Sequence, residues 1–163
     1  MSIRRSAVAV PVVLGLLALG GCGQPRDLPT SDDGVVGTVV AVSDVSGIPD
    51  APDPDGWVVT LPTAAVDDVL ALAGEGTLER ELRYSRFTMA PETVDELGGT
   101  VAEVDGAGRF RLDVVGERLV CRLSASRWNG EVGAAGCVRA DLPAGGVVRV
   151  TLGEAGLAVE VET

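Results

Sequence analysis

The stretch Gly108-Arg-Phe-Arg-Leu-Asp-Val114 alternates apolar and charged side chains at every second position. In an extended chain, Phe110, Leu112 and Val114 share one face, while the charged side chains share the other. Such alternation is typical of a β-strand that buries one face and exposes the other to water. This stretch therefore predicts a mainly β fold with a core on its apolar side.

The segments around this stretch repeat the same pattern of short apolar runs between Gly-rich turns. Turns are predicted at 105–108 and 116–117, on either side of the strand. The strand candidates are 35–42, 57–61, 100–104, 108–114, 118–123, 137–142, 147–152 and 157–161. Seven or so short strands with such turns predict an antiparallel seven-stranded β-sandwich.

The last two candidates are predicted to form a closing hairpin around Gly153-Glu-Ala-Gly156. In that hairpin the alternating apolar residues of 147–152 meet those of 157–161 on the core side. The residues expected to meet there are Val148, Val150 and Leu152 with Leu157, Val159 and Val161.

A short helical insertion is predicted at about 62–98. Thr63 is a candidate cap for a first helix, whose apolar residues recur at helical spacing until Gly74. Pro91 to Leu97 has the composition of a second helix, with Pro at its start and Gly98 after its end. Between them, the weakly alternating Tyr84, Phe87 and Met89 are expected to cover an open edge of the sandwich.

Three short motifs resemble the carboxypeptidase regulatory-like domain, which has a transthyretin-like fold. They are Val36-Gly-Thr-Val-Val40, Val104-Asp-Gly-Ala-Gly-Arg-Phe-Arg-Leu112 and Gly116-Glu-Arg-Leu-Val120. The resemblance implies a small non-catalytic sandwich used for stabilisation, adhesion or carbohydrate contact. The chain departs from the family pattern at Val104-Asp-Gly106, where a second acid is common, and in its helical insertion.

The N-terminus has the order of parts of a secretory signal. Arg4 and Arg5 precede the uncharged run Ala7 to Leu19, which is short for a membrane span. Leu19-Gly-Gly-Cys22 then resembles the lipobox of bacterial lipoproteins, whose cysteine carries diacylglycerol after cleavage. The resemblance implies a signal peptide at 1–21, lipidation of Cys22 and location on the extracytoplasmic face of the membrane. An ordinary signal peptide that ends near a cysteine is the alternative.

Residues 22–34 are expected to be an acylated cysteine and a flexible tether, and 35–163 the β-sandwich domain. The chain contains no Lys and no His, and its arginine-only basic set is typical of a high-GC genome such as an actinobacterial one. Loss of 1–21 leaves 11 arginines against 24 acidic residues, a balance of −13. Such a charge should repel nucleic acid and anionic lipid headgroups, so we predict no nucleic-acid partner.

Two cysteines remain after lipidation of Cys22. Cys121 and Cys137 are expected to form a disulfide in an oxidising compartment, with two buried free thiols as the alternative. One detail opposes the pairing: if Val138, Ala140 and Leu142 face the core, Cys137 points away from it.

Few residues suggest chemistry, and neither a catalytic centre nor a cofactor is predicted. Asp50, Asp53 and Asp55 lie in a loop rich in Pro and Gly, which is either a rigid solvent loop or a weak Ca²⁺ site. We predict the solvent loop and no metal. Glu92, Asp95 and Glu96 include candidates for the two carboxylates of a glycoside hydrolase, but acids on a short helix usually serve solvation.

The preferred function is a cell-surface binding or structural module with an unknown protein or carbohydrate partner and no enzymatic activity. The alternative is a small extracytoplasmic hydrolase whose catalytic groups are carboxylates, assisted by Ca²⁺. Trp57 is expected in the core, and Trp128 in a turn, where an exposed ring is able to stack on a sugar. An enzyme needs converging acids in a pocket, whereas a module scatters its acids over convex loops.

Overall fold

The computed structural model describes residues 34–43, 45–126 and 129–162, which form two five-stranded sheets and a layer of short helices. The strands are β1 (Val35–Ala41), β2 (Ala51–Pro52), β3 (Trp57–Pro62), β4 (Phe87–Thr88), β5 (Thr100–Glu103), β6 (Arg109–Leu112), β7 (Gly116–Ala125), β8 (Val132–Leu142), β9 (Gly146–Gly153) and β10 (Gly156–Glu162). The helices are α1 (Val66–Ala73) and α2 (Pro91–Glu96), with 3₁₀ turns at Thr63–Ala65 and Glu79–Glu81. The predicted mainly β sandwich with a helical insertion is confirmed, with ten described strands instead of seven.

The outer sheet is built around β1. Its order is β10-β9-β1, and both β2 and β6 pair with the other edge of β1. β1 and β9 run parallel, from Val35 opposite Gly146 to Ala41 opposite Leu152. The sandwich is otherwise antiparallel in its described strand pairs, and three of these pairs, β1–β2, β7–β8 and β9–β10, join strands that are consecutive in the chain.

The central sheet has the order β4-β8-β7-β3-β5 and is covered on both faces. In β3, Val58 faces the outer sheet, whereas Val59 and Leu61 face the helical insertion. In β7 five consecutive residues, 119–123, are buried. A strand in which both alternating faces are buried requires a covering layer on each side, so the molecule has three layers and two cores.

The first core lies between the two sheets. Phe110 and Leu112 belong to it, as their alternation predicts, together with apolar residues of β1, β9 and β10. The predicted closing hairpin is confirmed in register, with Leu157 opposite Leu152 and Val159 opposite Val150. Val161 is 48% exposed, because the core ends before the end of β10.

The second core lies between the central sheet and the insertion, which contributes Val66, Val69, Leu82, Met89 and Val94 among others. These side chains replace the water that the second face of the sheet would otherwise meet. The insertion is therefore a structural layer of the fold.

Parts of the insertion differ from expectation. Thr63 begins a 3₁₀ turn, and the N-cap of α1 is Ala65, with no capping bond from a side chain, so the predicted Thr63 cap is wrong. Phe87 does join the sheet edge, as part of β4 on β8, and Met89 is buried. Tyr84 is 57% exposed and does not cover that edge.

A disulfide joins Cys121 and Cys137, which lie directly opposite each other on β7 and β8. Both side chains belong to the second core. Cys137 does point away from the face of Val138, but that opposite face is also buried, so the difficulty raised by the alternation disappears.

Removal of this bridge should destabilise the fold. The chain-entropy model gives a bridge that closes a loop of this size a contribution of about 3 kcal/mol. We expect Cys121→Ala/Cys137→Ala to lower the free energy of unfolding by about 2–4 kcal/mol in a urea titration at constant pH. An unchanged denaturation midpoint for the double variant, compared with a wild type in which peptide mapping shows Cys121 and Cys137 bridged, would contradict this role.

Candidate functional site

An open cleft of about 860 Å³ lies at the end of the sandwich where β3 begins and β7 ends. It is lined by the loop 53–57, by β4, and by the connection from β7 to β8. The chain enters β1 at the opposite end, where the Gly145 amide donates to the Gly34 carbonyl at 2.8 Å, beside the end of β8. Because β8 has 11 residues, the two ends are about 35 Å apart along that strand.

Two aromatic side chains line the cleft. Trp57 and Phe87 are half-buried, since both also pack against the second core. Part of each ring is therefore fixed by apolar contacts while the remainder meets the cleft. Trp57 thus combines the predicted core position with a place in the candidate site. An anchored aromatic ring is a low-entropy surface for a ligand.

Arg122 organises the loop that forms one wall. Its side chain is only 1% exposed, and its Nη2 lies 3.0 Å from Oδ2 of Asp53, whose side chain is 31% exposed. Nε also donates to the same Asp53 oxygen at 3.2 Å. The remaining donors reach the backbone carbonyls of Asp55, Trp57 and Leu123. Loop 53–57 is therefore wrapped around one buried guanidinium.

The close approach of this loop requires an unusual backbone. Asp55 has φ 67° and Gly56 has φ 78°, both in the left-handed region. A Cβ on Gly56 would lie 2.4 Å from the Leu123 carbonyl oxygen and 2.6 Å from Nη1 of Arg122. Only glycine allows the backbone to pass so near the guanidinium.

The weak Ca²⁺ alternative for Asp50, Asp53 and Asp55 is not supported by their positions. Asp53 binds Arg122, and Asp50 binds Arg149 at 3.1 Å, on the outer sheet. Among the described residues no group of three or more His, Cys, Asp or Glu side chains is placed to hold a metal ion. The cation of this loop is the Arg122 guanidinium.

The opposite wall carries a small polar network. The Glu131 carboxylate accepts from the Thr88 hydroxyl at 2.8 Å and from the Asn129 amide at 3.1 Å. The Glu131 amide in turn donates to the Asn129 side-chain oxygen at 3.1 Å. These exposed groups add fixed donors and acceptors beside the aromatic rings.

The other candidate residues from the sequence lie elsewhere. Glu92, Asp95 and Glu96 are all exposed on α2, outside the cleft. Cys22 and Trp128 lie outside the described residues. Asn129, next to Trp128 in the chain, does line the cleft.

Asp105 has a local structural role in the turn before β6. Its carboxylate accepts from the Ala107 amide at 2.9 Å, and from the Arg109 amide and guanidinium at 2.8 Å each. Partial burial acts to raise its pKa, but these hydrogen bonds outweigh it and hold the pKa of Asp105 below its usual value. The Asp105 carboxylate therefore stabilises the turn at 105–108.

The residues that sequence reasoning missed are Arg122 and Phe87. Arg122 occupies an alternating strand position where a charged residue normally faces water, and only its distant partner Asp53 explains its burial. Phe87 was considered as an edge cover, and its place in the same cleft as Trp57 depends on the pairing of β4 with β8. No local signal in the sequence indicates either contact.

Comparisons with known proteins found little similarity. No protein-family model matches the chain, and no curated protein sequence matches it significantly. A crystal structure from Pseudomonas aeruginosa, described as a "putative carbohydrate binding protein", matches at 15% identity and a TM-score of 0.39. The match covers 80% of this chain and 100% of that one. Within the described residues, no helix is long and apolar enough to cross a bilayer.

The wrapping of loop 53–57 around Arg122 gives a direct test. In Arg122→Lys a single ammonium group replaces the planar guanidinium group, and it cannot donate to the same set of acceptors. We expect the free energy of unfolding to fall by about 2 kcal/mol, since buried hydrogen bonds to a charged group are lost. Hydrogen exchange of the 53–57 amides should also accelerate. Arg111→Lys on the exposed side of β6 is the control, and equal behaviour of both variants would refute the clamp.

Proposed function

We propose that this chain is a lipid-anchored, extracytoplasmic lipoprotein whose sandwich binds a saccharide in the end cleft, without catalysis. The observation that carries the proposal is the pairing of the half-buried rings of Trp57 and Phe87 with polar groups in one open cleft. The similarity of the sequence motifs to carboxypeptidase regulatory-like domains agrees with a non-catalytic module and stays a prediction.

The chemistry of a sugar suits this lining. A pyranose ring has an apolar C–H face and a rim of hydroxyl groups, so it needs a flat apolar surface next to hydrogen-bonding groups. Trp57 and Phe87 supply the surface, while Asp55, Asn129 and Glu131 supply acceptors and donors around it. An open cleft also leaves room for a chain of sugars to extend beyond the site.

The acids of the cleft support binding over hydrolysis. Glycoside hydrolysis needs two carboxyl groups about 5–10 Å apart, one of them a proton donor with a raised pKa. Three described acids line the cleft: Asp53 is engaged by Arg122, both oxygens of Glu131 accept hydrogen bonds from neighbours, and Asp55 by itself cannot supply a pair. Carboxylates held in this way are acceptors for hydroxyl groups, which is a binding role.

The anchor is supported by the order of parts in 1–22 and by the compartment that the disulfide requires. Two acyl chains on Cys22 would give stable attachment, because each buried methylene contributes about 0.8 kcal/mol. Gly34, which follows the proposed tether, lies at the other end of the strands from the cleft, so attachment there would not cover the cleft.

The anchor is tested by Cys22→Ser. We expect loss of palmitate incorporation and transfer of the protein from the membrane fraction to the soluble extracytoplasmic fraction. Mass spectrometry of the wild type should find a mature chain that starts at an acylated Cys22. A wild type recovered from the cytosol with residues 1–21 intact would exclude the anchor.

The cleft is tested by Trp57→Ala in a glycan array followed by calorimetry on each hit. We expect binding to weaken about tenfold or more, as is common when a central aromatic contact is removed. Asn129→Ala is a second variant, because an exposed side chain is removed with little effect on folding. Leu72→Ala, which removes an exposed apolar side chain outside the cleft, is the control. Absence of any glycan hit, or turnover of a bound glycan, would overturn the proposal.

A further inference from the structure

Three arginines follow one another at three-residue spacing between α1 and β4. Arg80, Arg83 and Arg86 are all exposed, and Arg86 lines the end cleft. Arg80 and Arg83 line a neighbouring concavity of about 430 Å³, whose rim also carries Arg139. We call Arg80, Arg83 and Arg86 the arginine track.

The backbone that carries the track is fixed to both sheets. Leu82 is fully buried in the second core, and its carbonyl accepts from the Cys137 amide at 2.9 Å. The Arg83 carbonyl accepts from the Leu157 amide of the outer sheet, also at 2.9 Å. Because the backbone is held at Leu82 and Arg83, in the middle of the track, the track starts from a defined position between the two sheets.

The charges of the track are not neutralised by the described part of the protein. None of its three arginines forms an ion pair with a described residue, although Arg83 lies over the Tyr84 ring at 6.0 Å. The chain has a net charge of −11, so three arginines without an ion pair to a described residue form a local basic surface on an acidic protein.

The acids nearest in the chain have other partners. Both oxygens of Glu79 accept from the Arg139 guanidinium, and this contact lowers the pKa of the Glu79 carboxyl, so the pair remains ionised. One oxygen of Glu81 accepts from the Leu78 amide at 3.1 Å. Neither acid is committed to the track.

We infer that the arginine track continues the binding surface of the end cleft, and that the ligand is an acidic polysaccharide. This inference rests on the proposed saccharide function of the cleft and narrows it to one chemical class. A guanidinium group binds a carboxylate or a phosphate through two parallel hydrogen bonds. A polymer with one anionic group per repeat meets the track with several of them while its sugar rings occupy the cleft.

The inference is tested by calorimetry on the purified lipidated protein in neutral detergent. The probes are polygalacturonate oligomers and the same oligomers with their carboxyl groups reduced, which differ only in charge. We expect at least about tenfold tighter binding of the acidic form at low ionic strength. The preference should vanish near 1 M salt, where the screening length falls to about 3 Å.

The track itself is tested by the triple variant Arg80→Gln/Arg83→Gln/Arg86→Gln. It should lose about tenfold in affinity for the acidic oligomer and keep its affinity for the reduced one. The control triple variant carries the same charge change at arginines outside the track: Arg111→Gln/Arg118→Gln/Arg149→Gln. It should retain the preference for the acidic form.

The outcomes separate the two proposals. If both oligomers bind equally, or if both triple variants lose the same affinity for the acidic oligomer, the proposed role of the arginine track is wrong. The proposed saccharide site in the cleft is unaffected by that result. If neither oligomer binds and the glycan array gives no hit, both the saccharide site and the role of the arginine track are wrong. Poly(glycerol phosphate) is a sugar-free polyanion; if it binds as tightly and is insensitive to Trp57→Ala, the track is a separate anion site and the inference is wrong.

Discussion

The fold depends on a sheet that must be covered on both faces. β3, β7 and β8 alternate between two apolar faces, and β7 is buried without interruption over 119–123. The outer sheet covers one face and the insertion covers the other, so neither layer is dispensable. The Cys121–Cys137 bridge ties the two longest strands of this sheet together on the side of the insertion. The same arrangement supports the end cleft, because the cleft lies where β3 begins and β7 ends.

Much of the first core could be predicted from the sequence. Alternation in 108–114 placed Phe110 and Leu112 correctly, and the closing hairpin was predicted in its true register, because period-two patterns determine which face each residue occupies. The second core was not foreseen. A residue such as Cys137 that opposes an apolar face is normally assigned to solvent, and only the packing of α1 and α2 reverses that assignment.

The candidate site was predicted less completely, for a related reason. The loop 49–56 was identified as rigid, but its acids were interpreted together, whereas Asp53 and Asp50 have partners on different strands. Arg122 follows the alternation of β7 and lies 69 positions from Asp53. Contacts over such separations leave no periodic trace in the chain, so a buried ion pair cannot be distinguished from two exposed charges. Trp57, by contrast, was expected in the core as a strand residue, and it does pack against the second core, although it is only half-buried.

The parallel pairing of β1 with β9 has a consequence for the order of folding. The first strand pairs over two residues with nearby β2, but its longer pairings are with 109–112 and 146–152, so most of its described ladder closes long loops. Folds dominated by such sequence-distant contacts assemble slowly, because loop entropy is lost before the contacts form. A chain that emerges from a ribosome or a translocation channel from its N-terminus onward cannot complete the outer sheet until β9 has emerged. Until then, the edge of the Val-rich first strand that pairs with β9 stays open, and an open strand edge is a site of aggregation that chaperones shield.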